Sequence, residues 1–201
     1  MNLPAAETRV LGALLEKQRT TPDMYHLTLN SLRLACNQST NRDPVVEYDD
    51  AIIRDALHHL ERRGFTRFAS GRSSRTPKYR HLLAEALPMT GDEQAVMCIL
   101  MLRGPQTPGE LKLRTERMHP FAELPAVHET LARLIEHGLA ARLERRPGQK
   151  EDRYMHLLEE DVAEESPAAI PVVVSAPLDG LEERVTRLER AVAELQTTVQ
   201  P

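Results

Sequence analysis

The chain has 201 residues, 41% of them hydrophobic and 28% charged, with a formal net charge of −4. This is an ordinary globular composition, enough for one or two domains. Aromatics make up only 3% and Trp is absent, which weighs against a stacking platform for single-stranded nucleic acid. The longest apolar run, 96–102, is too short to cross a bilayer, so no membrane partner is expected.

In chain order, MNLPAAETRV has no basic start before an apolar stretch, so no secretory signal is expected and the chain is read as cytoplasmic. Val10, Leu11, Leu14 and Leu15 recur as one stripe of an amphipathic helix. Thr21-Pro22 follows, with Pro suited to the first turn of a second helix. An apolar helix, Thr28–Cys36, ends at Cys36. Ile53, Leu57 and Leu60 mark the inner face of a third helix, which Gly64 is placed to stop. Two short strands, Phe65–Ala69 and Lys78–His81, then flank the loop SGRSSRTP.

The pattern repeats. Val96, Met97, Leu100, Met101 and Thr107-Pro108 match Val10, Leu11, Leu14, Leu15 and Thr21-Pro22 at an offset of 86. Val127, Leu131, Leu134 and Gly138 match the third helix at an offset of 74, and Arg153–Leu158 matches Lys78–Leu83 at 75. The first copy therefore carries about twelve extra residues before its third helix. Strands Leu139–Glu144 and Asp152–His156 close the second copy. Three helices followed by a strand pair are the winged helix-turn-helix pattern. The expected fold is mainly α with small β-hairpin wings. It comprises two tandem winged helix-turn-helix domains, 1–86 and 87–158, an acidic and Pro-rich linker, 159–177, and a coiled-coil segment, 178–201. A cut within 84–91 is expected to separate two units, each with its own three-helix core.

In the last segment Leu178, Leu181, Val185, Leu188, Val192, Leu195 and Val199 alternate spacings of three and four. That narrow a/d seam points to oligomerisation, with Val at a and Leu at d favouring a parallel homodimer over the alternative trimer.

The strings Leu15-Glu16-Lys17-Gln18, Ala35-Cys36-Asn37-Gln38, Thr40-Asn41-Arg42 and Gln106-Thr107-Pro108-Gly109-Glu110-Leu111 resemble the YceH-like family of bacterial tandem winged-helix proteins of unknown function. The resemblance covers roughly residues 5–158. It implies the fold and no reaction.

The first wing is the clearest chemical feature. Arg67, Arg72, Arg75, Lys78 and Arg80 crowd together with no acid between Phe65 and Leu83, a composition suited to phosphate contact. The second wing has Arg145, Arg146, Lys150 and Arg153 interrupted by Glu151 and Asp152, and reads as a solvated turn. Asn37, Gln38, Asn41 and Arg42 could contact bases or phosphate, but the same residue types also build turns on their own backbone, and the structural role is favoured. The third helices argue against direct base reading. Asp49, Asp50, Asp55 and Glu61 lie on the outward side of the first, and His128, Glu129, Arg133 and Glu136 on that of the second. No P-loop, dinucleotide fingerprint or metal-ligand spacing is present, and Cys36 and Cys98 read as buried apolar groups. The expectation is a non-enzymatic, DNA-associated protein, a transcriptional regulator among the readings, with no cofactor and no metal. Double-stranded DNA is the expected partner. The alternative is a scaffold that grips a protein partner, as segregation-and-condensation protein B does with its paired winged helices.

Overall fold

The computed structural model describes residues 2–69, 76–145 and 150–159. The expected seam from Leu178 to Val199, nearly all of the expected linker, and wing residues Arg72 and Arg75 lie outside the described residues. The chain is mainly helical, with small antiparallel strand pairs.

Helix α1 (Ala5–Thr20) buries Val10, Leu11, Leu14 and Leu15, the stripe read from the sequence. Strand β1 (Leu27–Thr28), helices α2 (Leu29–Cys36) and α3 (Asp50–Arg62), and strands β2 (Thr66–Phe68) and β3 (Lys78–His81) follow. The sheet order is β1-β3-β2, all antiparallel. A short helix, α4 (Leu83–Ala86), leads to α5 (Gly91–Arg103), α6 (Pro108–Thr115), α7 (Leu124–Glu136), β4 (Ala140–Leu143) and β5 (Arg153–His156).

Both third helices stop in the same way. Gly64 and Gly138 take φ of +78° and +68°, a left-handed conformation cheap only for glycine. Each turns the chain so that the next residue donates back to the helix, Phe65 N to Leu60 O and Leu139 N to Leu134 O, both at 2.8 Å.

The second helices depart from the expected alignment. Pro22 opens only a 3-10 turn, Pro22–Met24, rather than α2. Helix α2 starts seven residues later, where Thr28 accepts a hydrogen bond from Ser31 N at 3.2 Å. Thr107 caps α6 in the same manner, accepting from Glu110 N at 3.2 Å while the Glu110 carboxylate accepts from the Thr107 N–H. The structural equivalent of Thr107 is therefore Thr28, not Thr21. The bridging pairs agree, since Leu27 pairs with Tyr79 and Gln106 with Tyr154. Leu32 and Leu111 are likewise both fully buried. The extra residues of the first copy thus fall in two places, seven before α2 and five before α3.

The two copies share a core. One continuous cluster runs from Leu11 and Leu14 through Leu57 and Leu60 to Val96, Leu100, Leu131 and Leu134. Helices α1 and α5 pack together closely. A Cβ at Gly12 would stand 3.0 Å from Leu102 Cδ2, and Cys98 Sγ lies 3.5 Å from Gly12 O. Gly12 and Cys98 are equivalent positions in the repeat. Equivalent faces meeting in this way resemble an isologous dimer built within one chain. Residues 1–160 accordingly group as one compact unit, and the boundary near residue 86 runs beside a shared core. Fragment 1–86 exposes the α1 face that α5 covers, so it is expected to lose the cooperative thermal transition that 1–160 keeps. Circular dichroism melts of both fragments check this.

A contact between a buried carboxylate and the third helix also repeats. Glu7 and Glu93, 2% and 1% exposed, each stand in the first turn of a first helix and reach a nitrogen-bearing side chain on the third helix. Glu7 Oε1 lies 3.1 Å from His59 Nδ1, and Arg133 Nε donates to Glu93 Oε1 at 2.9 Å. Glu93 also accepts from the Thr90 N–H, whereas Pro4, at the matching cap of α1, has no N–H. That difference leaves Glu7 Oε2 buried without a partner among the described residues.

Candidate nucleic-acid interface

Strand pairing sorts the first wing into two faces. Thr66 sits opposite His81 and both are buried, so the register sends Arg67 and its partner Arg80 to the other face. Lys78 lies two residues from Arg80 and joins them there, opposite Thr28 of β1. Arg80 Nη1 meets Glu85 Oε1 at 3.0 Å, a surface pair worth about 0–1 kcal/mol. No carboxylate pairs with Arg67 or Lys78 among the described residues. Like charges directly opposite each other on a sheet repel, and an anion laid over them relieves that repulsion. His26 adjoins the same cations. Partial burial lowers its pKa first, and Arg80 and Lys78 lower it further. The sequence reading missed His26, and β1 with it, because two residues are too short a run to show a period.

On the opposite face, Phe68 and Tyr79 meet edge to face with centroids 5.8 Å apart. With Arg54, Leu57, His58 and Glu61 of α3 they line a small cleft of about 170 Å³.

The second hairpin neutralises itself. Asp152 takes Arg142 at 2.8 Å and a short bond from Arg145, and the Arg145 bond holds its carboxyl below the usual carboxylate range. Arg153 Nη1 donates to Pro105 O at 2.8 Å. Arg146 lies outside the described residues, and Lys150 is exposed.

The segment from Asn37 to Arg42 does not join the wing. Asn37 mimics a strand partner, donating to Tyr48 O at 2.8 Å and accepting from Tyr48 N at 3.0 Å. The Arg42 side chain is 0% exposed. It forks onto Glu16 at 2.5 and 3.1 Å and donates to Ala35 O at 3.0 Å and Asn41 O at 2.7 Å. Enclosed and bonded through all three of its nitrogens, Arg42 presents no donor to a phosphate, and this placement withdraws it from the candidate contacts. Asn41 is exposed at φ +60° and accepts from Arg103, while Gln38 is half-buried beside it.

The two acids at the start of α3 have structural partners. Asp49 caps α3 by accepting from Ile52 N at 2.9 Å, and Asp50 holds Arg33 at 2.8 Å. Arg133 of α7 is committed to Asp92 and Glu93. Burial pushes the Cys36 thiol up to about 12 and the Cys98 thiol higher still, so neither carries thiolate character. Among the described residues, no three His, Cys, Asp or Glu side chains gather to hold a metal, and no helix is long and apolar enough to cross a membrane.

Residues 3–149 match the model of a family described as protein of unknown function, DUF480. The chain is 46% identical over 194 residues to a UPF0502 protein of Solibacter usitatus, covering 96% of this chain and 93% of that one. It is 48% identical over 195 residues to a UPF0502 protein of Geobacter metallireducens, covering 94% and 88%. It is 41% identical over 207 residues to a UPF0502 protein of Shewanella sp., covering 98% and 95%.

Proposed function

Since the chain belongs to the DUF480 family of proteins of unknown function, its role has to be argued from its own geometry, and we propose that it is a non-enzymatic, DNA-associated protein built from two tandem winged helix-turn-helix domains. The order α1-β1-α2-α3-β2-β3 with sheet order β1-β3-β2 supports the first domain. The order α5-α6-α7-β4-β5, with Gln106 bridging to Tyr154 where β1 would pair, supports the second.

One observation carries the DNA reading. Arg67 opposite Arg80, with Lys78 and His26 beside them, makes a face of one sign that lacks enough carboxylate to balance it. Such a face positions a protein on phosphates without reading bases. The wing loop adds Arg72 and Arg75, and the heptad from Leu178 to Val199 supplies a homodimer that doubles the contacts. With about four cations from each of two subunits on phosphate, log Kd should follow log salt with a magnitude near 7, at about 0.9 per contact. Fluorescence anisotropy of a labelled duplex across a salt series measures that slope. Replacing Arg72→Ala and Arg75→Ala together removes four contacts from the dimer and is expected to lower it by almost 4.

A second reading has its own support. Helix α3 exposes Ile52 between Asp50 and Asp55, and Leu34 is exposed on α2, a mixed apolar and acidic surface better suited to protein than to phosphate. Absence of duplex binding at low salt, or a slope near zero, selects this scaffold reading.

A further inference from the structure

A cleft of about 450 Å³ opens where the end of α1 and the 38–41 loop of the first copy meet α5 and α6 of the second. Its volume lies within the range of small-ligand pockets. Four cations line it: Lys17 on the last turn of α1, Arg103 at the end of α5, Arg114 on the last turn of α6, and Arg117 just beyond.

The ordinary reason for a cation at a helix C-terminus is to offset the negative end of the dipole. Here local donors already meet carbonyls near each of these helix ends. Thr20 Oγ1 donates to Glu16 O at 2.8 Å and Thr21 Oγ1 to Lys17 O at 3.1 Å. Gln106 Nε2 donates to Arg103 O at 2.9 Å, and Thr115 Oγ1 to Leu111 O at 2.8 Å. The acids of the cleft do not cancel the cations. Glu16 is taken by the buried Arg42 fork, which leaves Lys17 a long 3.6 Å contact with it. Glu110 meets Arg114 at 3.3 Å, and Glu116 also lines the cleft. Arg103 and Arg117 have no carboxylate partner among the described residues. Beyond its partial burial, the guanidinium of Arg103 is disfavoured by nearby Arg114 and Arg42, with Glu16 and Asp43 acting the other way. Ile99, Leu113 and Met118 supply an apolar wall.

We propose that this cleft binds the diphosphate group of a small ligand, gripped by Lys17, Arg103, Arg114 and Arg117. Guanidinium forks match phosphate oxygens in pairs, and one diphosphate has oxygens enough for several of them. A ligand held there touches both copies of the repeat, so it stiffens the α1–α5 junction. The proposal stands apart from the DNA reading, since none of the wing cations lines the cleft.

Calorimetric titration of the full chain with inorganic pyrophosphate, ADP and adenosine tests it. Pyrophosphate and ADP are expected to bind, and adenosine is not. Tighter binding of ADP assigns the apolar wall to a nucleotide base, and equal binding assigns the cleft to free diphosphate. Arg114→Ala and Arg117→Ala are each expected to weaken binding by about tenfold, while Arg67→Ala leaves it unchanged. Arg114 is part-exposed and Arg117 exposed, and melting temperatures equal to that of the parent chain establish that the variants fold. No heat with either phosphate ligand at millimolar concentration, affinity unchanged in both variants, or adenosine binding as tightly as ADP overturns the proposal.

Discussion

Replacing Arg42 by Ala is expected to lower the unfolding free energy by about 3–5 kcal/mol, the range for removing one partner of a buried ion pair. The side chain is wholly enclosed, and its loss strands both oxygens of Glu16, itself only 13% exposed, together with the carbonyl of Ala35. The same change loosens the 37–49 segment, whose other anchor is Arg9, donating to Cys36 O at 3.3 Å and Pro44 O at 2.7 Å. That segment reaches across to the second copy through the hydrogen bond from Asp43 N to Leu102 O at 2.9 Å, so the damage extends beyond one helix. Replacing both partners, Glu16→Leu with Arg42→Met, removes the stranded charge and is expected to recover much of the loss. Urea unfolding of the three chains checks this, and a loss below about 1 kcal/mol for Arg42→Ala would show that water reaches Glu16 freely.

Acid should weaken the fold well before the carboxylates titrate. His81 and His156 occupy equivalent places, 4% and 5% exposed, and burial lowers both pKa values from 6.5 to about 4. In each, Nδ1 accepts a backbone hydrogen bond, from Leu83 N at 3.2 Å and from Leu158 N at 3.3 Å, so protonation sets N–H against N–H. His81 Nε2 then donates to Gln18 Oε1 at 2.7 Å. A group whose folded pKa is depressed contributes stability that is fully present above its unfolded value and is lost as pH falls toward the folded one. The window therefore runs from 6.5 down to about 4, with a loss of about 3 kcal/mol for each ring. Asp92, held at about 2, and Glu93, also lowered, act in the same direction at lower pH. Glu159, raised by burial, acts in the opposite direction. Urea midpoints at pH 7, 6 and 5 should fall steadily, and His81→Gln with His156→Gln should flatten the fall. A midpoint independent of pH over that range would mean that the rings titrate alike in the folded and unfolded chains.

The long periodic elements were legible because each buries one stripe. Leu11 and Leu14, Ile53 and Leu57, Val96 and Leu100, and Val127 and Leu131 are core residues in the positions their spacing assigned. The wing strands were placed to within one or two residues, Phe65–Ala69 against an observed Thr66–Phe68. The second helix was misaligned because Thr-Pro looks the same whether Pro opens a helix or a 3-10 turn, and the real cap, Thr28, lacks a following Pro. The shared core escaped notice because α1 and α5 are apolar around much of their circumference, and periodicity does not say what covers the far side. Arg42 illustrates the limit for sites. Beside Asp43 in a polar loop it resembles a surface cation, and only the fold brings Glu16 to it. The matched Glu7 and Glu93, with His59 and Arg133, stand in the aligned repeats as a paired contact between first and third helices.

DNA association through the wing requires that the outer face of the β1-β3-β2 sheet meet phosphate. Amide chemical-shift mapping of the isotope-labelled full chain against a short duplex at low salt tests it most directly. The account predicts perturbations centred on His26, Arg67, Lys78 and Arg80 that fade as salt rises, with the hairpin around Asp152 unmoved. Shifts confined to Ile52 and Asp55 on α3, or none at any duplex concentration, would contradict it.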